Sequence, residues 1–231
     1  MQVMKNLLRP FGSDAIHRDV NYVYEIYKLS LIFSIACLPW ILVNMLVKLD
    51  IATCWLYGLA FLILYPNLKV LFNEMININK NQVNVRGKSY FIKFITELKH
   101  YAVHNVLYGL LVSTAGIVYF IEFKLIVAQK ELRFMIIPFL IIGAFLLTSV
   151  ITMMFVVDDT LTLKERLRVA MFLSWRNVVR TFAIALLFML WLSVGYNSPF
   201  LNILIGNALL LWLIYKLRFK SVQRTLKQLN S

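Results

Sequence analysis

Three side chains that can bind a metal ion recur along one short segment. Glu97, His100 and His104 stand at positions i, i+3 and i+7, so they share one face of a helix. A carboxylate and two imidazoles are ligands that transition metals accept. The alternative is that the histidines mark the boundary where a membrane helix begins. We favour this second interpretation and expect neither a bound metal nor another cofactor.

A second set of polar side chains lies within long apolar runs. Such amides and hydroxyls either line a path for a small molecule or form hydrogen bonds between helices. The set consists of Asn44, Thr148, Ser149, Thr152, Asn202 and Asn207. For any single residue we favour the hydrogen bond. No Asp, Glu, Lys or Arg lies in the core of these runs, which argues against an ion-coupled carrier.

Catalytic signatures are missing from the sequence. It contains no P-loop, no H-E-x-x-H, no G-x-S-x-G and no G-x-G-x-x-G. Asp158 and Asp159 form the one acidic doublet, which either holds a cation or, as we favour, ends one membrane helix and opens the next helix. Cys37 and Cys54 lack the C-x-x-C spacing of a redox or zinc motif. The sequence therefore predicts a protein that is not an enzyme.

The composition indicates a membrane protein. Hydrophobic residues make up 61% of the 231 residues, charged residues make up 15%, and the mean hydropathy is +0.75. Soluble domains are about 45–50% apolar and about 25% charged. A soluble fold of this length could not bury so much apolar surface. We therefore expect one polytopic membrane domain that covers residues 1–231.

Six apolar runs approach the length of about 20 residues that a transmembrane helix needs. They cover residues 29–47, 51–68, 101–121, 134–157, 178–196 and 199–215. Their external links are short, with about twelve residues in the longest. The sequence predicts an all-α membrane protein with six transmembrane helices arranged as three antiparallel hairpins. Pro39 lies inside the first run and predicts a kink there.

The basic residues set the orientation. With both termini inside, 20 of the 24 Lys and Arg residues fall in the cytoplasmic segments. Cytoplasmic loops of membrane proteins carry such an excess. We therefore predict an N-in, C-in topology. Because topology accounts for the positive charge, we expect the lipid bilayer, and not a nucleic acid, as the general partner.

Two cytoplasmic segments are predicted to contain basic amphipathic helices. Gly87 marks a break, after which Phe91, Phe94 and Leu98 recur at helical spacing. Leu167, Ala170 and Trp175 share a face of the second helix. Their basic residues either anchor the topology, which we favour, or dock a cytoplasmic partner or anionic lipid. The candidate docking residues are Lys93, Lys99, Lys164, Arg168, Arg176 and Arg180.

A run of small residues predicts close helix packing. Gly109, Ser113 and Gly116 lie on one side of the third predicted span. Small residues at that spacing let two helices approach closely. We expect a packing seam there, within one chain rather than between chains.

Several short motifs resemble the YesL family of uncharacterised bacterial membrane proteins. They are the run Tyr22-Val-Tyr-Glu-Ile-Tyr27, the Leu38-Pro39 step, Pro66, the segment 91–99 and the basic stretch 163–180 with Ser174-Trp175-Arg176-Asn177-Val178. In layout the resemblance covers nearly the whole chain. It implies a multi-pass protein of the bacterial cytoplasmic (inner) membrane, and it brings no established activity.

The resemblance also implies a role by association. Members of that family often accompany carbohydrate uptake and breakdown systems. We therefore expect an accessory component of carbohydrate uptake or sensing that docks an ABC-transporter permease or a sensor kinase. The alternative is a small-molecule transporter or facilitator, for instance of sugars. A membrane-embedded enzyme is the least favoured of the three.

Overall fold

The computed structural model describes residues 13–81, 85–155 and 163–229, and within them it is helical without a β-strand. The helices are α1 (Ser13–Ala36), α2 (Leu38–Leu46), α3 (Cys54–Asn81), α4 (Gly87–His100), α5 (Val106–Ala128), α6 (Ile136–Phe155), α7 (Leu163–Arg176), α8 (Val178–Asn197) and α9 (Asn207–Leu229). Short irregular helical turns link some of them, at Tyr101–Asn105, Lys130–Met135, Pro199–Leu201 and Asn202–Gly206. Asp158 and Asp159 lie outside the described residues.

The first apolar run is broken at Cys37. Helices α1 and α2 meet there at an angle of 66°, and Pro39 stands in the first turn of α2. Proline has no N–H to donate and its ring clashes with the preceding turn, so a helix breaks there. The predicted kink is confirmed, and it divides the run into two helices.

Helix α3 differs from the second predicted span at both ends. A turn precedes it, in which Thr53 Oγ1 donates to the Lys48 carbonyl at 2.6 Å and accepts from the Asp50 N–H at 3.0 Å. This turn uses residues that the apolar run had included, so the helix begins at Cys54 and not at residue 51. At the other end α3 continues through Pro66 to Asn81.

The predicted external loop at residues 122–133 is wrong for most of its length. Helix α5 continues to Ala128, and a 3-10 turn at Lys130–Met135 follows after Gln129. Glu122 and Lys124 do not stop this helix, because apolar residues flank them in sequence and Lys124 Nζ lies over the Phe120 ring, 5.7 Å from its centroid. The most apolar stretch accordingly lies at Gly109–Ala128, shifted from the predicted 101–121.

Four helices in the described part of the chain are long and apolar enough to cross a membrane, or five if α1 and α2 count as one broken span. They lie at Cys54–Asn79, Gly109–Ala128, Lys130–Phe155 and Val178–Asn197. The sixth predicted span, 199–215, is helical throughout, because Pro199–Leu201 and a π-helical stretch at Asn202–Gly206 lead without a break into α9; it is not among the four helices that meet the length and hydropathy criteria. The structure thus supports an all-helical protein with four or five apolar helices of membrane length.

The core lies around α3, with contributions from α1, α6, α8 and α9. Leu29, Leu68, Leu71 and Leu211 are fully buried there. In α3, 61% of the apolar stretch is buried, against 6% in α5. Helix α5 is therefore peripheral, and its exposed apolar side chains match the surface that lipid tails solvate.

Candidate functional site

Helix α4 is attached to the bundle through a buried tyrosine. The Tyr90 hydroxyl donates to Asn67 Oδ1 at 2.6 Å, and Asn67 Nδ2 donates to Cys37 Sγ at 2.9 Å. All three side chains are buried. Burial in this apolar setting raises the pKa of Tyr90, so its hydroxyl stays a donor. The contact joins α4, α3 and the break between α1 and α2.

Ion pairs hold the same helix. Lys93 Nζ lies 2.5 Å from Glu74 Oε1, and Lys69 pairs with Glu97. A further carboxylate, that of Glu25, accepts the backbone N–H of Val85 at 2.8 Å just before α4 begins. Each of these acidic groups of α1, α3 and α4 therefore has a polar partner.

The structure gives the candidate metal ligands separate surroundings. Glu97 binds Lys69, and His100 lies on an exposed position of α4. The side chain of His104 lies outside the described residues. Among the residues that the structure describes, no three His, Cys, Asp or Glu side chains come together as a metal site.

A second polar cluster lies where α6, α7, α8 and α9 meet. Arg218 on α9 is fully buried, and its Nε donates to Thr152 Oγ1 at 2.7 Å. Its Nη2 donates to Ser174 Oγ at 2.9 Å, and its Nη1 reaches the Leu173 carbonyl at 3.4 Å. We call this group the Arg218 cluster. It consists of Arg218, Thr152, Leu173 and Ser174.

Hydroxyl groups extend the Arg218 cluster between the helices. Thr181 Oγ1 donates to the Ser174 carbonyl at 2.7 Å, and Thr148 Oγ1 donates to the Thr181 carbonyl at 3.1 Å. Ser149 Oγ donates to Ser174 Oγ at 3.3 Å. Burial, with a smaller contribution from Arg180, lowers the pKa of Arg218 to about 10. The guanidinium is therefore still charged at neutral pH.

The candidate path residues mostly bond to other helices or to their own helix. Thr148 and Thr152 belong to the second polar cluster described above. Asn207 accepts from Trp191 Nε1 at 2.6 Å and donates to Ser34 Oγ at 2.7 Å, which links α9, α8 and α1. Asn44 Nδ2 donates to the Trp40 carbonyl one turn earlier. Within the described residues Asn202 differs, because its buried Oδ1 has no hydrogen-bond partner.

Comparisons with known proteins give no family. No protein-family model, curated protein or solved structure matches this chain. The resemblance to the YesL family therefore stays a prediction.

Helices α4 and α7 lie at the same end of the bundle. The Phe72 and Phe155 rings are 4.5 Å apart, so the half of α3 that carries α4 meets the end of α6 that carries α7. Both amphipathic helices also expose bulky apolar side chains. Ile92 and Ile95 do so on α4, and Phe172 and Trp175 do so on α7. One end of the molecule therefore presents both helices.

The candidate docking residues are mostly exposed at this end. Lys93 is bound by Glu74, although half of its side chain is exposed. The other members of the set are exposed and form no ion pair within the described residues: Lys99, Lys164, Arg168, Arg176 and Arg180. Their charges are available to a partner.

The predicted packing seam is only partly formed. Ser113 approaches Gly58 of α3 so closely that a Cβ atom at position 58 would stand 2.7 Å from Ser113 Oγ. Gly109 is covered by the Tyr101 side chain of its own segment, and a Cβ atom at Gly116 would meet no atom within 4 Å. The seam between α3 and α5 therefore includes Gly58 and Ser113, and Gly116 lies outside it.

The sequence interpretation missed three central residues: Asn67, Tyr90 and Arg218. For two of them a signal was present. Asn67 follows Leu64 by three residues and precedes Leu71 by four, which places it on the buried face of α3. Arg218 likewise follows the buried Ile214 by four residues. Helical spacing thus pointed to both, whereas Tyr90 lies beside the face predicted for α4.

Proposed function

We propose that the chain is a non-enzymatic accessory protein of a bacterial carbohydrate uptake or sensing system. In this proposal it crosses the cytoplasmic membrane six times, with both termini inside. It docks a cytoplasmic surface of a permease or a sensor kinase through the basic side chains of α4 and α7. The observation that carries the proposal is the shared end of the bundle, where both helices expose, beside apolar side chains, cations that form no ion pair within the described residues.

The interior favours docking over transport. Thr148, Thr152 and Asn207 use their polar groups in bonds that join helices. Buried polar groups that are satisfied in this way stabilise a packed bundle and do not present a ligand with free donors. The exposed cations of α7 have no such internal use.

The charges on α7 suit an acidic protein surface. Lys164, Arg168 and Arg176 project from one short helix, and their exposed positions let them steer an oppositely charged partner. Trp175 is 64% exposed, and aromatic residues are enriched in binding interfaces. A partner that combines carboxylates with an apolar patch would cover both kinds of side chain.

Affinity purification in mild detergent tests the docking. We expect wild-type protein to recover a permease or sensor kinase, and we expect the triple variant K164Q/R168Q/R176Q to lose it. The matched control is K124Q/K130Q/R133Q, which removes three cations from the predicted outer side and should keep the partner. Recovery of a clean monomer that carries sugar flux in liposomes would overturn the proposal.

The proposed topology has its own test. Lys88 and Lys130 are exposed and lie on opposite predicted sides of the membrane. In intact cells a membrane-impermeant maleimide should label a K130C variant and leave a K88C variant unmodified until the membrane is opened. The reverse labelling pattern would mean that the membrane orientation is the opposite of the predicted one, so that the proposed docking surface would not face the cytoplasm.

A transporter is the second candidate, and one observation favours it. Asn202 Oδ1 and Ser30 Oγ are buried without a hydrogen-bond partner in the described structure. Asn207 Nδ2 donates to Ser34 Oγ at 2.7 Å, and these two residues lie close in sequence to Asn202 and Ser30 respectively. Unsatisfied buried oxygens are uncommon and mark places where a polar ligand or water fits. Sugar uptake by liposomes that contain the wild-type protein, lost in an N202L variant, would favour this candidate.

A further inference from the structure

Arg218 is a buried cation that has no counter-ion among the residues the structure describes. The ion pairs within the described residues join Lys28 to Glu25, Lys69 to Glu97 and Lys93 to Glu74, and none includes Arg218. Its partners in the Arg218 cluster are two hydroxyls and a backbone carbonyl, which are all neutral. A buried charge normally has an opposite charge beside it, because desolvation strongly disfavours an isolated ion. Within the described residues, the Arg218 cluster therefore lacks a negative charge.

The guanidinium also has unused donors. An arginine carries five N–H groups. Three of those of Arg218, one each on Nε, Nη1 and Nη2, donate to Thr152, Leu173 and Ser174. One N–H on each terminal nitrogen therefore has no acceptor in the described structure. Two oxygens of one oxyanion can accept such a pair, and arginine binds phosphate and carboxylate in this bidentate manner.

The surroundings are strongly positive. Arg180 lies close enough to lower the pKa of Arg218, and the exposed side of α7 carries Lys164, Arg168 and Arg176. Such a field raises the local concentration of anions and adds to the cost of leaving Arg218 uncompensated. Anionic groups would thus gather at this end of the bundle.

We propose that the Arg218 cluster binds a phosphate group, which supplies the missing negative charge and accepts the two unused N–H groups. The guanidinium has no exposed surface, and Leu173 and Ser174 of α7 lie against it. Entry of the phosphate therefore includes a displacement of α7 from α9. The phosphate belongs either to a soluble compound or to the headgroup of an anionic lipid.

Thermal melting of the full-length protein tests the site. In dodecyl maltoside at constant ionic strength, we expect replacement of chloride by inorganic phosphate to raise the Tm by about 3 °C or more, because a ligand of the native state stabilises it. A second arm compares nanodiscs of pure phosphatidylcholine with nanodiscs that contain phosphatidylglycerol. A rise with inorganic phosphate assigns a soluble phosphate, and a rise confined to phosphatidylglycerol assigns a lipid headgroup.

Matched variants locate the effect. We expect R218Q to lose the stabilisation and R133Q, which removes an exposed arginine on the opposite predicted side of the membrane, to keep it. R218K retains the charge but not the paired donors of the planar guanidinium, so its Tm should rise less with phosphate. It replaces R218Q in the test if R218Q does not fold. The absence of a Tm rise in both arms for the wild-type protein would overturn the proposal, as would an equal response of wild-type protein and R218Q.

Discussion

Helices α4 and α7 are both short, basic and amphipathic, and each lies in the chain between two longer apolar helices. Different contacts hold them. Helix α4 packs through the hydrogen bond of Tyr90 to Asn67 and through the two ion pairs Lys93–Glu74 and Lys69–Glu97, so Lys93 and Glu97 each have a partner of opposite charge. Helix α7 packs over Arg218, a cation whose acceptors within the described residues are all neutral. In the part of the chain that the structure describes, the charges around α4 are paired, and the charge under α7 is not.

This difference separates a structural contact from a candidate binding site. A satisfied polar network stabilises its helices, and removal of one member leaves the others unpaired. An uncompensated buried charge does the opposite, since it disfavours the folded state until a counter-ion arrives. The sign of a mutational effect on stability therefore distinguishes the two corners.

The largest loss is expected at Asn67. The substitution Asn67→Ala leaves the buried Tyr90 hydroxyl without its acceptor and removes the donor to Cys37, so the free energy of unfolding should fall by about 3 kcal/mol. Tryptophan fluorescence during denaturation in detergent measures this. The control is Asn44→Ala, whose half-buried amide bonds only to its own helix, with a loss below about 1 kcal/mol. Equal losses would mean that the network around α4 has no special weight.

A smaller loss is expected where the α4 corner continues into α5. A Cβ atom at Gly109 would stand 1.4 Å from Tyr101 Oη, so Gly109→Ala must displace a ring that stacks on Tyr65 at 5.5 Å. We expect a loss of about 2 kcal/mol from this overpacking. Gly116→Ala is the matched control, because alanine meets open space there and has the higher helix propensity by about 1 kcal/mol. If thermal melting shows that both variants are neutral, Tyr101 does not hold this part of α5.

At the Arg218 corner the sign should reverse. Arg218→Met removes the uncompensated charge, while Thr152 and Ser174 still donate to carbonyls of their own helices at 2.6 and 2.9 Å. In phosphate-free buffer we expect stability to stay unchanged or to rise by about 1 kcal/mol. The same denaturation assay measures this change in the free energy of unfolding. A loss of about 3 kcal/mol would instead class Arg218 with Asn67, as a structural residue.

The smallest effect is expected at Lys93. Its side chain is 50% exposed, so water screens the bond to Glu74, and Lys93→Ala should lower stability by about 0.5 kcal/mol. A double-mutant cycle with Glu74→Gln isolates the pair. A coupling energy above about 2 kcal/mol would show that the ion pair, rather than the Tyr90 contact, fixes α4.

The elements that the sequence predicted well are those governed by local rules. Gly87 begins α4, Pro39 marks the break after Cys37, and Val178–Asn197 closely matches the fifth predicted span. Composition and helical period act within one segment, so a single sequence exposes them. The predicted boundary near Cys54 was wrong because a polar turn precedes the helix, and the one near Ala128 was wrong because the helix continues past two exposed charged residues; hydropathy predicts neither.

Local rules could not predict which side chains come into contact. Basic composition alone treated Arg218 like Arg168, although the first is fully buried and the second is exposed on α7. Likewise Glu97 shared a helix face with two histidines in sequence, but the crossing of α3 and α4 supplied Lys69 as its partner. In both cases a second helix, distant in sequence, decides the environment of the charge.

By itself the sequence determined that this chain is helical, largely apolar and rich in cations between its apolar runs, because transfer into lipid and helix propensity depend on each residue and its near neighbours. Only the tertiary structure decided which of those cations is paired, which is exposed and which is buried with no counter-ion among the described residues. Electrostatic energies depend on distance and burial, and these arise when segments far apart in the chain are packed together.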